Sequence, residues 1–169
     1  KRTDDFNGAE QEGAGLYQVT CRKGRRWSTA KAYLEPAGGR PNLTVRTGAL
    51  VERVVVEGGR AVGVAYQHGR STYTAYVDWE VVLAGGTVNS PQLLMLSGIG
   101  PAAHLREVGV EVVVDLPGVG QNLHDHPVVP LVFRTRGTTD LMDHNNLVQF
   151  ARAKATGTGP LVSNVAEGG

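Results

Sequence analysis

The residues best placed for chemistry are Ala84, Gly85 and Gly86, with Ser90 and Pro91 shortly after them. Upstream, Val81-Val82-Leu83-Ala84 is apolar without alternation, the pattern of a strand buried on both faces of a parallel sheet. Ser90 is a good N-cap, and Pro91 suits the first helical position, where a missing N–H costs nothing. Gly98 suits the left-handed conformation that ends a helix. Residues 81–98 are therefore expected to form strand, glycine turn and helix, with the helix starting at Ser90 or Pro91. At such a place backbone approaches a bound dinucleotide closely, and free N–H groups favour negative charge. A tight strand–helix connection needs the same residues, so the geometry leaves both readings open.

A second cluster lies at Gly118-Val119-Gly120-Gln121-Asn122-Leu123, followed by His124-Asp125-His126-Pro127. It is not a dinucleotide fingerprint: Leu123 stands where the third glycine belongs, and Pro127 interrupts any long helix behind it. A glycine turn that carries Asn122, Asp125 and His126 toward a domain interface is expected instead. His124 and His126 would share one face of a strand, but no third ligand for a zinc ion is evident, and no metal site is expected. Hydrogen bonding within a loop and contact with a cofactor both remain open for this cluster. His68, His104 and His144 read as turn or helix-surface residues. No G-x-S-x-G elbow is present, which removes the serine hydrolase reading. Arg22-Lys23-Gly24-Arg25-Arg26 is the one basic cluster and reads as a solvated loop or helix entrance.

These groups must be positioned by short elements. Strands are expected over residues 15–20, 43–47, 50–57, 71–77, 110–116 and 128–135. Val62, Val64 and Tyr66 alternate on one face, as a half-buried strand requires, and Gly58-Gly59 marks a hairpin turn before them. Helices are expected from Ser28 to Leu34, from Pro91 to Leu96, over 102–108 after Pro101, and over 145–155. No internal repeat is visible.

The 169 residues suffice for a core, and 41% hydrophobic with 20% charged residues is ordinary for a globular protein. A net charge of +1 gives no electrostatic case for nucleic acid or an acidic membrane. No apolar run approaches the roughly 18 residues of a membrane span. The single Cys21 excludes an internal disulfide framework, and a cytoplasmic location is expected.

The run from Gly86 to Gly100 resembles the second sequence motif of the glucose–methanol–choline (GMC) family of flavin oxidoreductases. Gly86, Thr87, Ser90, Pro91, Leu93, Leu94, Ser97, Gly98, Ile99 and Gly100 match its fixed positions. Asp5-Phe6-Asn7-Gly8, Gly24-Arg25-Arg26-Trp27-Ser28-Thr29-Ala30, Arg40-Pro41-Asn42-Leu43-Thr44-Val45 and Leu116-Pro117-Gly118-Val119-Gly120 are similar in the same order. The likeness covers residues 4–127 closely, with wording nearest to choline dehydrogenase-like members.

The resemblance implies a mixed α/β (α+β) fold: part of an FAD-binding, Rossmann-like domain with an antiparallel meander over 1–127, then the start of a substrate-binding domain over 128–169. It implies FAD as cofactor, with Val51 offering backbone N–H and C=O to the adenine. By itself Val51 is only a core or edge valine. Ala84, Gly85, Asn122, Asp125 and His126 are the other residues the resemblance places by the cofactor. The implied reaction takes a primary alcohol such as choline to its aldehyde, with the electron acceptor and the choice between oxidase and dehydrogenase left open. The family's phosphate-binding GxGxxG segment and its catalytic histidine fall outside residues 1–169, so the catalytic base is expected beyond the C-terminal end. The chain reads as an internal fragment, expected to be colourless by itself and prone to self-association. The alternative is a non-catalytic nucleotide-binding or interaction fragment.

Overall fold

The computed structural model describes residues 1–5, 7–15, 18–127, 129, 136–137 and 144–162. The chain divides into two compact units, Lys1–Thr44 with Leu131–Gly169, and Val45–Pro130.

The second unit is built on an antiparallel meander of β3 (Ala49–Glu57), β4 (Arg60–His68) and β5 (Ser71–Tyr76). The β-branched run Val54-Val55-Val56 favours extended backbone, and the Gly58-Gly59 turn returns it as β4. Both expectations for this hairpin hold. The β3–β4 register shifts twice, between Val51 and Arg53 and between Val55 and Val56. Such irregularities bend a strand and sharpen its twist. Tyr66 and Tyr73 are directly opposed on β4 and β5, and their rings stack with centroids 5.6 Å apart. The Arg46 guanidinium lies 5.5 Å from the Tyr66 centroid and is hydrogen-bonded to the phenol oxygen.

Helix α2 (Gly86–Leu96) follows, and Ser97 fastens its last turn to β3. The buried Ser97 hydroxyl donates to the Leu93 carbonyl at 2.6 Å and accepts the Val54 N–H at 2.8 Å. β3 is an edge strand, so this N–H has no fourth strand to meet. Beyond it, β6 (Ile99–Gly100) and β7 (Val114–Asp115) pair in parallel, with α3 (Ala102–Glu107) as the crossover. Asp115 Oδ1 accepts the Ala102 N–H at 3.0 Å, capping α3 from the neighbouring strand. Among the described residues the buried apolar side chains are Val54, Ala65, Tyr66, Ala102, Leu105 and Val119, all in this unit, and only Leu105 is wholly enclosed.

The first unit contains β1 (Cys21–Arg22) and β2 (Arg25–Arg26), an antiparallel pair around Lys23-Gly24. A π-helical turn, Ala30–Leu34, leads into α1 (Glu35–Ala37), and Ser28 Oγ meets the Lys31 N–H at 3.5 Å. α4 (Leu147–Thr156) is capped by Asn146, whose side chain accepts the Gln149 N–H at 3.0 Å. Both helical expectations therefore stand, with the first in π form.

Several expectations fail. Residues 81–84 are not a buried strand: Val82 is 76% exposed, Ala84 is exposed, and Val81 and Leu83 are half-buried. A strand covered on both faces needs neighbours at its edges, and among the described residues this segment pairs with none. The helix also starts earlier than expected, at Gly86, whose φ of +87° demands glycine. Ser90 lies in its second turn and reaches back to accept the Gly85 N–H at 3.0 Å. Pro91 is then interior, so the Thr87 carbonyl lacks its usual helical donor. Residues 110–116 contribute only β7, because β6 offers a two-residue partner. Residues 43–47 form no strand; Leu43 instead closes a turn onto the Arg40 carbonyl at 3.2 Å. Gly15 and 18–20 are not in a strand, and Leu16 and Tyr17 lie outside the described residues. The strand expected over 128–135 also lies outside them, except Val129, which is not in a strand.

The Ser97 junction yields a test. Ser97→Ala leaves the Val54 N–H without an acceptor in a buried place, which costs roughly 1–3 kcal/mol. The urea midpoint of the chain is expected to fall with the slope unchanged. A midpoint identical to that of the parent chain would show that the hydroxyl does not hold α2 to the sheet.

Candidate functional site

Two clefts in the second unit flank α2, and their walls follow from its spacing. Gly85, Asn89 and Leu96 recur at helical intervals and face β3, whereas Thr87, Val88, Pro91 and Met95 face the turn at residues 120–124. Gln92 stands at the margin of both clefts.

The first cleft has a volume of about 470 Å³. Its floor is the start of β3, at Ala49, Leu50 and Val51, and its wall is the extended segment 82–85 with the opening turns of α2. Three expected site residues, Val51, Ala84 and Gly85, meet here. Val51 is 37% exposed, a valine left uncovered at a sheet edge. As the edge strand, β3 turns part of its N–H and C=O groups away from β4. Gly85 sits close on the other wall: a β carbon there would lie 3.2 Å from Asn89 Cβ, so the turn fits closely over the helix start. The first-turn N–H groups of α2 have no acceptor within the helix and carry its positive dipole end. The cleft thus offers a flat apolar floor, strand-edge hydrogen-bonding groups and a helix N-terminus. It suits a planar heteroaromatic ring bearing a nearby negative charge.

The second cleft, about 690 Å³, lies between the opposite face of α2 and the turn that ends at His124. Val119 N–H to Leu116 carbonyl at 3.1 Å and Gln121 N–H to Gly118 carbonyl at 3.2 Å form the expected glycine turn. Asn122 lines the cleft with a φ of +56°, a conformation asparagine tolerates better than most residues. Its carbonyl oxygen lies 2.6 Å from His124 Nδ1.

Asp125 and His126 line neither cleft. They are exposed; Asp125 Oδ1 accepts the His126 N–H at 2.7 Å and lies 3.6 Å from its Nδ1. The structure therefore groups Val51, Ala84 and Gly85, sets Asn122 across α2 from them, and leaves Asp125 and His126 on the surface. Among the described residues no group of three or more histidine, cysteine or acidic side chains could hold a metal ion. No helix among them is long and apolar enough to cross a membrane. Sequence reasoning missed Asn89 and Gln92, which line the clefts beside Ser90 and Thr87. Their positions four and seven after Gly85 carried that signal once the helix began at Gly86.

Comparison with known proteins bears on the family and the fold. The sequence profile described as GMC oxidoreductase matches residues 1–128. An oxygen-dependent choline dehydrogenase of Brucella anthropi is 49% identical over 152 residues, spanning 90% of this chain and 27% of that protein. The mitochondrial choline dehydrogenase of Mus musculus is 56% identical over 124 residues, 73% of this chain and 21% of that protein. The chain thus spans about a quarter of the length of these relatives. Among solved structures, an FAD-dependent oxidoreductase from Chaetomium thermophilum superposes with a TM-score of 0.77 at 30% identity, covering 99% of this chain and 31% of that one. The mixed fold, the motif around α2 and the profile match agree: the chain belongs to the GMC oxidoreductase family.

Proposed function

We propose that the chain is a segment of an FAD-dependent oxidoreductase acting on CH–OH donors, with choline the first substrate to test. The observation that carries this reading is the cleft where Val51, at the edge of β3, faces the Gly85 turn and the N-terminus of α2. Its residues fit the adenosine end of a dinucleotide: a flat purine lies on the Val51 backbone edge, and the helix N-terminus faces the phosphate side. FAD when bound supplies the hydride acceptor that no amino-acid side chain provides. The chain's own residues orient and enclose. Val51 and Leu50 give an apolar floor, and Gly85 keeps the wall free of a side chain. Asn122, held in its turn across α2, presents an amide at the second cleft. The choline dehydrogenases among the relatives support a small alcohol as substrate.

Adenosine monophosphate titrated into the chain is expected to shift the backbone amide resonances of Val51, Gly85 and Asn89. Val51→Trp, which fills the cleft, should weaken that binding at least about tenfold, a loss of about 1.4 kcal/mol. Shifts confined to other residues would rule out the adenine assignment.

For the enzyme of which this chain is a segment, choline is expected to bleach the flavin absorbance under anaerobic conditions and to support reduction of an artificial electron acceptor. A flavin that stays oxidised with choline and other primary alcohols would end the CH–OH reading.

A further inference from the structure

The cations around Lys23-Gly24 are exposed, yet they converge on one place. Arg22, Lys23, Arg25, Lys31 and Lys154 line one open pocket of about 630 Å³ in the first unit, with Glu35 as its lone carboxylate. None of the five cations has an ion-pair partner among the described residues.

The backbone gathers these charges against their mutual repulsion. Arg22 and Arg25 are directly opposed across the β1–β2 pair, an arrangement of like charges that destabilises a hairpin. Lys23, at the first turn position, holds a φ of +52°, which a lysine rarely adopts. Gly24 follows at +68°, so the two residues make the tight turn that brings the arginines face to face. The Arg22 guanidinium is fixed 4.9 Å above the Trp27 ring centroid. The end of α4 closes the pocket. A β carbon on Gly157 would lie 2.5 Å from the Lys23 carbonyl oxygen, and one on Gly24 would strike the Gly157 backbone. Two glycines thus let the hairpin seat directly on the helix end, bringing Lys154 beside the arginines.

We infer that this pocket binds a polyphosphate: a small molecule carrying two or more linked phosphoryl groups. Two guanidinium forks and three ammonium point charges are the donor mixture phosphate oxygens take. The volume exceeds a single ion, and an excess of four positive charges over the lining matches a pyrophosphate or triphosphate group. A bound polyanion would also offset the Arg22–Arg25 repulsion built into the hairpin.

The test is calorimetric titration of the purified chain with inorganic pyrophosphate and tripolyphosphate at low salt. Saturable one-to-one binding is expected, with citrate at least tenfold weaker. Arg25→Gln and Lys154→Gln should each weaken pyrophosphate about tenfold, while Arg70→Gln, an exposed cation of the β4–β5 turn, leaves it unchanged. Should Arg25→Gln lower the unfolding midpoint, Lys154→Gln, on the exposed face of α4, decides alone. Four results would overturn the proposal: no saturation, equal loss on Arg70→Gln, citrate binding as tight as pyrophosphate, or binding only to a polymer such as heparin.

Discussion

A helix packed beside an edge strand faces a difficulty that the Ser97 hydroxyl resolves. The strand presents N–H groups with no ladder partner. One side chain at the junction answers this: it accepts from Val54 while donating to the Leu93 carbonyl, which the Ser97 N–H also meets at 3.1 Å. Leucine or alanine would seal the same space and leave an unsatisfied buried N–H. The bond also fixes where α2 lies along β3, and hence which α2 residues look down on Val51. The cleft is in this sense a by-product of one hydroxyl. Immediately after it, Gly98 turns the chain into β6, so the parallel β6–β7 pair and the Leu105 core hang from the same point.

The opening of α2 illustrates a different constraint. Two adjacent glycines permit a left-handed residue as the first of the helix, and the turn is pulled tight by the Gly85 N–H reaching Ser90. Ser90 therefore acts on the residue before the helix from inside the second turn. Pro91, one position on, withdraws a donor from the Thr87 carbonyl just where the second cleft begins. A helix with both flanks apolar and its first turns irregular has two surfaces for ligands rather than one surface for a core.

How far the sequence told this in advance depended on whether the information was local. The Gly58-Gly59 hairpin, the alternation through Val64 and Tyr66, the helix after Pro101 and the helix expected over 145–155 are settled by neighbours in sequence, and each reads correctly. Residues 81–84 and 110–116 have strand-like composition, yet a strand is made by its partner, and composition does not say whether one is there. The start of α2 was misplaced because Ser90-Pro91 is a strong capping signal, whereas the Gly85-Gly86 alternative depends on a φ only glycine reaches. Val51, Ala84 and Gly85 were grouped through family likeness; their common cleft follows from the Ser97 junction, which pairs positions 43 residues apart. Arg22 to Arg26 read as a solvated loop or helix entrance, and they are exposed around a turn; that Arg22 and Arg25 oppose one another follows from the β1–β2 register.

The β3–β4 turn has a bearing on how this protein can change over time. A β carbon on Gly58 or Gly59 would meet nothing within 4 Å, so the turn stands clear of its surroundings. It begins seven positions after Val51, about 23 Å at strand rise. The two register irregularities sit between them and fix the pairing on the Val51 side. Lineages can therefore lengthen or shorten this hairpin tip without shifting the cleft, whereas a single-residue insertion between Val51 and Val56 would turn every later side chain of β3 to the opposite face. Length variation among relatives should accumulate at the tip, which also marks it as the place to graft a tag or reporter.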